Sequence, residues 1–357
     1  MKMMEFQLQR RAMKMSNARR VIPKIKFNGK DVSETMQKYL EEISYDDIAS
    51  GSSDTLSIKF YDRDLKWLGK WMPKKGDRII ASLMFKDWNK EGEKKILSCG
   101  DFLLDEMSAC GNPLNVTIGG IALPTNSKIK STARHKTWKK VTTKQIASEI
   151  SGKYGLSLVY DAPVYTIASL EQSDKSDSSF LYDLCKDYGF GMKIYRKKLV
   201  IYGKSKYEKK KATMTISRKD FVENDWNFND TLEKTYTGAR TSYKSGKDNK
   251  EINVYVGIKG ENARGARTLR INVQSSSEHD ARVKAAAAVN LENEKATTLN
   301  GKIFAKPGLV AGICVTVKDF GKGDGKYFVD EVKTSYSGES GTTQEISLHR
   351  CQKQVTA

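Results

Sequence analysis

Apolar and polar positions alternate through much of this chain. Leu56, Ile58 and Phe60 alternate with Ser57 and Lys59, which is the period-two pattern of a half-buried strand. Val21, Ile25 and Phe27 lead into Asn28-Gly29, a strong hairpin-turn signal. Glu41 to Tyr45, Arg78 to Phe85 and Lys95 to Leu104 read as further strands, the second entered from Pro73-Lys74-Lys75-Gly76-Asp77. Residues 111–136 carry Pro113, Gly119, Gly120 and Pro124 and read as an extended connector.

The period then changes to that of helices. One helix is predicted from near Thr142, where Gln145 three residues on completes a capping box. Ile146, Ile150 and Tyr154 share one of its faces. A second starts near Ser176 or Asp177, carries the stripe Phe180, Leu181, Leu184, Cys185 and Tyr188, and ends at Gly189. Strands fit at Leu156 to Tyr160, Gly191 to Tyr195 and Lys198 to Tyr202, so residues 137–205 form a small α+β module.

After a basic, polar linker, Lys204 to Lys211, strand patterns resume at Ala212 to Ile216, Glu233 to Tyr243, Ile252 to Val256 and Arg267 to Val273. A helix capped by Ser276 or Ser277, over about 277–298, has a narrow small-residue face of Ala281, Ala285, Ala288 and Val289, suited to close packing on a sheet. Ile313 to Val317, Lys326 to Tyr336 and Thr343 to His349 complete the pattern, with Gly321 to Gly325 as a hairpin loop. The expected fold class is α+β, mainly β: two antiparallel β-barrel domains with an inserted small α+β module. Residues 19–110 would form the first barrel and 206–357 the second, preceded by a basic N-terminal arm over 1–18.

Composition narrows the function classes. The 357 residues are enough for several cores. No run is apolar enough for a transmembrane helix, and the N-terminus lacks an h-region and cleavage site, so membrane insertion and secretion are not expected. Five cysteines, odd in number and widely spaced, predict neither a disulfide framework nor a zinc site in a reducing cytoplasm. The net charge of +19 points to an acidic partner or a solvated basic surface. No helix-turn-helix, zinc-finger or basic-zipper pattern accompanies it, so specific nucleic-acid recognition is not expected.

Candidate chemistry is sparse. Of three histidines, His135 lies in a basic stretch and His279 in a first helical turn, and both read as surface residues. His349 alternates with Leu348 and is read as facing away from the core. Cys351 falls on the same strand face as His349, but no orienting acid or oxyanion loop is evident for a nucleophilic pair. Asp183 and Asp187 sit one helical turn apart and read as solvated, while Asp46-Asp47 and Asp62-x-Asp64 fall at loops or strand ends. None makes a convincing glycosidase pair. Gly321 to Lys326 lacks phosphate-loop spacing and no helix follows. The basic-aromatic stretches 67–71 and 136–140, with Trp67, Trp71 and Trp138, read as interface or barrel-edge anchors rather than a nucleic-acid platform. No catalytic, cofactor or metal residues are assigned.

Four stretches together resemble a known family. They are Ala18-Arg19-Arg20 through Phe27-Asn28-Gly29-Lys30-Asp31-Val32 with Ser53-Asp54-Thr55-Leu56-Ser57-Ile58; Trp71-Met72-Pro73-Lys74-Lys75-Gly76-Asp77-Arg78-Ile79; Gln172 to Leu181 running into Tyr188-Gly189; and Leu299-Asn300-Gly301, Pro307-Gly308-Leu309, Gly325 to Val329 and Thr334 to Ser337. In this order they resemble the phage late control protein D and contractile-tail baseplate hub family. The resemblance implies two tube-like barrels per chain and a homotrimer whose six barrels match a six-fold tail tube to a three-fold spike. It implies tail tube, spike, baseplate wedge and tape measure proteins as partners, assembly in the bacterial cytoplasm and residence in the virion or a phage-tail-like particle. It implies no catalysis and no cofactor. The alternatives left open are a tail-associated cell-wall hydrolase and a DNA-binding regulator.

Overall fold

The computed structural model describes residues 18–122, 128–244, 251–258 and 267–357. Nearly all of the basic N-terminal arm therefore lies outside the described residues. The chain opens with β1 (Arg20–Phe27) and β2 (Lys30–Asp31), joined at Asn28-Gly29. Both turn residues take positive φ, 46° and 84°, the geometry a two-residue hairpin needs to match the twist of its strands. There follow α1 (Ser33–Gln37), β3 (Leu40–Ile48), β4 (Thr55–Tyr61), β5 (Arg78–Lys86), β6 (Lys94–Cys110) and β7 (Asn115–Ile121). The alternation at 56–60 buries Leu56, Ile58 and Phe60, which share a core with Ile79, Phe85 and Phe102.

The segment 111–136, expected as a connector, instead supplies β7, the short α2 (Lys128–Ser131) and the start of β8 (Ala133–Thr142). Glycine concealed β7: a Cβ at Gly120 would lie 3.0 Å from the Phe102 Cβ, so the backbone passes close against that residue.

The module continues with α3 (Thr143–Lys153), β9 (Ser157–Asp161), β10 (Thr166–Ser176), α4 (Asp177–Asp187), β11 (Phe190–Tyr195) and β12 (Lys198–Gly203). Thr142 and Gln145 close the capping box reciprocally, at 3.2 and 2.8 Å. Ser176 caps α4 through the Ser179 amide. The two apolar stripes meet in one core with Trp138 and Ile201. β8 pairs with β10, and β9, β12 and β11 form a separate three-stranded sheet.

The run 204–211, expected as a linker, begins with α5 (Lys204–Glu208). Tyr207 packs on Tyr202 with ring centroids 4.5 Å apart, which holds this helix against the module. Beyond it come β13 (Met214–Ser217), β14 (Phe221–Asp230), β15 (Gly238–Lys244), β16 (Glu251–Gly257), β17 (Thr268–Ile271), α6 (Glu278–Asn293), β18 (Thr297–Phe304), β19 (Cys314–Lys318), β20 (Gly325–Ser337) and β21 (Gly341–Arg350). Ser277 caps α6, whose Ala281, Ala285 and Val289 bury against Ala239, Val254 and Val256 of the β15–β17 sheet. The helix stops at Asn293, short of the expected 298, because Asn293 turns its side chain onto the backbone of Tyr236.

The fold is mainly β, and its two β regions share one sheet. Its order is β14-β18-β21-β20-β3-β4-β7-β6-β5-β1-β2, with β19 added to β20 and β13 to β19. The join is β20 against β3, from Glu331↔Ile48 to Ser337↔Glu42. Each half encloses its own core, one around Phe60 and the other around Tyr327.

Candidate functional site

The sequence candidates divide by where the fold places them. His135 and His279 are exposed, as expected. Trp67 and Trp138 are core residues, stacked on Phe60 and Phe180 respectively, so neither offers an aromatic face to a nucleic acid. Trp71 is half-buried against Trp67 and Tyr39. Asp62 is fully buried and accepts the amides of Lys66, Trp67 and Leu68, which fixes the loop carrying both tryptophans. Asp64 accepts Tyr39 Oη, and Asp183 pairs with Lys175, while Asp187 is exposed. The Gly321–Lys326 loop is closed by Arg350, which donates to the carbonyls of Lys322 and Asp324. A cation thus fills the space where a phosphate loop would hold an anion.

Asp47, read as a loop or strand-end residue, belongs with Asp54 to a buried seam. Lys193 of β11 pairs with Asp47 of β3, and with Asp54 at 2.9 Å. Asp54 also accepts Tyr45 Oη and the Ile48 amide, both at 3.1 Å, and Asp47 accepts the Ala311 amide at 2.9 Å. Burial pushes the Asp54 carboxyl up to about 6 against the pull of Lys193. Burial lowers the Lys193 ammonium, but Asp47 and Asp54 outweigh it and raise the group. Backbone bonds reinforce the joint: Ser50 Oγ accepts the Met192 amide at 3.0 Å. This cluster locks the module onto both β regions.

His349 corrects the sequence reading. It is 3% exposed rather than outward-facing. Both faces of β21 are covered here, because α5 and the end of α6 lie over the face that alternation assigns to solvent. Its Nδ1 lies 2.8 Å from Asp330, so an orienting acid is present after all. Asp330 is the extra residue of a β-bulge: Val329 faces Leu348 and Glu331 faces Ser347, which turns Asp330 toward His349. On the other side, His349 Nε2 lies 3.8 Å from Glu208 Oε1 at the end of α5. Glu294, the C-cap of α6, joins the group and pairs with Lys204 at 2.8 Å. Burial alone would lower the imidazole, but Asp330 first, then Glu208 and Glu294, hold it at about 10. Burial raises Glu294 despite Lys204.

Cys351 does not complete a Cys-His pair. It lies past the strand and packs in a small cluster with Cys314, Phe328 and Tyr207, while the Cys314 thiol donates to the carbonyls of Tyr207 and Glu208 at 3.4 and 3.5 Å. Glu208, Glu294, Asp330, Asp54 and Lys193 had no sequence signal, since their partners lie on remote elements. Only a polar residue inside the buried run Tyr327-Phe328-Val329-Asp330 hints at one of them.

The two ends of the long sheet form a second feature. Among the described residues, β14 pairs only with β18, and β1 has no second strand partner over residues 20–24. The unpaired part of β1 exposes Arg20 and Lys24, and Lys26 beyond it lies opposite Asp31 of β2. The β14 edge exposes Glu223, Asp225 and Asp230, and the strand contains no base.

No protein-family model and no curated protein matches the sequence. Solved structures do. The 43 kDa tail protein of prophage MuSo2 from Shewanella oneidensis superposes with a TM-score of 0.70 at 14% identity, over 94% of this chain and all of that one. A tail protein from Neisseria meningitidis MC58 gives 0.65 at 12%, over 92% and 96%. The E. coli c3393 protein, a type VI secretion component described as structurally similar to T4 tail proteins gp27 and gp5, gives 0.54 at 9%, over 91% and 76%. The fold is therefore that of phage tail proteins. Its structure neighbours agree with the baseplate-hub resemblance carried by the sequence stretches.

Proposed function

We propose that this chain is a structural baseplate hub of a contractile phage tail or phage-tail-like particle, assembling as a homotrimer. The β1–β7 region and residues 206–357 would act as two tube-like units, with the module that begins at α2 on their flank. Three chains would present six similar units to a six-fold tail tube and a three-fold face to a separate spike, with wedge and tape measure proteins as further neighbours. Assembly would take place in the bacterial cytoplasm, and the product would reside in the virion.

The observation that carries this reading is the pair of sheet edges. One chain has a basic edge and an acidic edge at opposite ends of a single sheet. Such edges are not self-complementary, so a contact between chains through them would be head-to-tail, which gives a ring where the rotation closes and a filament where it does not. Strand addition across them removes both unpaired edges, and opposite charge fixes which edges meet. The tail-protein fold supports a structural role in a tail.

A cryo-EM reconstruction of the assembled particle tests it. Three copies around the axis at the tube end are expected; a monomer bound off-axis would defeat the reading. Charge exchange gives a second check. Lys24→Glu with Lys26→Glu should prevent ring closure, and adding Glu223→Lys with Asp225→Lys in the same chain should restore it. The burial of His349 and of Trp67 and Trp138 gives the hydrolase and DNA-binding readings no support.

A further inference from the structure

The cluster at the end of β21 lacks partners where its burial demands them. His349 and Glu208 are 3% and 6% exposed. Nevertheless His349 Nε2 and Glu208 Oε1 make no hydrogen bond, and neither does Gln354 Oε1. All three residues line one small cavity, together with Glu294 and Asn290. A buried polar atom without a partner costs about 1–3 kcal/mol, more when charged, so three around one cavity call for an occupant. A shared proton does not serve, because 3.8 Å between Nε2 and Oε1 is beyond hydrogen-bond reach.

Three carboxylates, Glu208, Glu294 and Asp330, gather around His349; Lys204 pairs with Glu294, and Arg350 and Lys353 also line the cavity. One ligand atom each from Glu208, Glu294 and His349 lies within 4.8 Å of the others. Bonds of about 2.0–2.2 Å to one ion would draw these atoms somewhat closer, and rotation of the two glutamates supplies that movement. Asp330 already holds Nδ1, which fixes the tautomer that leaves Nε2 free, the usual outer support of a metal-bound histidine.

We propose that Glu208, Glu294 and His349 bind one divalent transition-metal ion, with Asp330 as positioning residue and Gln354 Oε1 or a water as fourth ligand. Mixed imidazole and carboxylate donors suit Zn²⁺ and its first-row neighbours. The ion would clip α5, α6 and β21 together where the second β region meets the module. It takes the place of the His349 proton, so binding releases that proton. The inference does not depend on the number of chains that assemble.

The test uses the whole chain, stripped with a chelator and titrated with Zn²⁺ alone or Co²⁺ alone. One ion per chain is expected, with a rise in Tm of several degrees. The Co²⁺ form should show visible d–d absorption without a thiolate charge-transfer band. Glu208→Gln and Glu294→Gln, which keep side-chain shape, should abolish the spectrum. Asp330→Asn should weaken Zn²⁺ binding about tenfold or more. The wild-type titration needs no variant to fold: a chain with neither a Co²⁺ band nor a Tm shift overturns the proposal. Binding that survives both glutamine substitutions overturns it as well, since the ion is then held elsewhere.

Discussion

Two buried charged clusters hold this molecule together, and they differ in completeness. Around Lys193, every carboxylate of the cluster has its partner: Asp47 takes Lys193 and the Ala311 amide, and Asp54 takes Lys193, Tyr45 and Ile48. Around His349, one ring nitrogen is satisfied by Asp330, while the other and Glu208 Oε1 are left without a hydrogen bond. Burial is similar in the two, so burial does not explain the difference. A complete cluster is a joint, because removing any member strands the others. An incomplete one, with three unpartnered atoms around one cavity, is a place for something else.

The largest effect is expected at the complete joint. Lys193→Met leaves Asp47 and Asp54 buried without their cation and should cost about 3–5 kcal/mol in denaturant unfolding. A loss below about 1 kcal/mol would mean that the backbone bonds at Ser50 and Gly51, not the charges, hold the module.

The incomplete cluster should show itself in pH dependence. In metal-free protein the folded His349 keeps its proton to about 10, against 6.5 as the ordinary value, because Asp330, Glu208 and Glu294 outweigh the burial that would lower it. Its stabilising contribution is complete below about 6.5 and is lost as pH rises through about 10, on the order of a few kcal/mol. Urea midpoints across that range should fall in the wild type and flatten in His349→Gln. Equal slopes in the two proteins would remove His349 as the titrating group.

Smaller effects separate the module from the sheet. A Cβ at Gly191 would lie 2.2 Å from the Tyr202 ring, so Gly191→Ala should cost about 1–3 kcal/mol through overpacking, seen as a lower Tm. Thr142→Ala removes one cap of α3 and should cost about 1 kcal/mol by the same measurement. If the cap costs more than the glycine, the β11–β12 contact is looser than its geometry states.

Legibility followed the range of each interaction. Helix caps at Thr142, Ser176 and Ser277 were readable because cap and helix lie within a few residues of each other. Strands with one clean apolar face, such as β4, were readable for the same reason. β14 was missed because an exposed edge strand of mostly polar residues has no apolar alternation to show. β8 was missed because its outward positions are basic. The order β–module–β carried the resemblance, but the β20–β3 ladder spans nearly the whole chain and has no local mark. His349 was misread because alternation tells two faces apart without telling whether the second face is covered. The metal-type cluster was invisible because its members come from α5, α6, β20 and β21, each ordinary in its own neighbourhood.

In the proposed assembly, oppositely charged sheet edges would close chains into a ring. Sedimentation equilibrium of the purified chain over a range of concentration and salt tests this most directly. A species of three times the chain mass, weakened by salt and abolished by Lys24→Glu with Lys26→Glu, is the predicted result. A chain that stays monomeric at every concentration, or forms a closed dimer unaffected by that substitution, would contradict it.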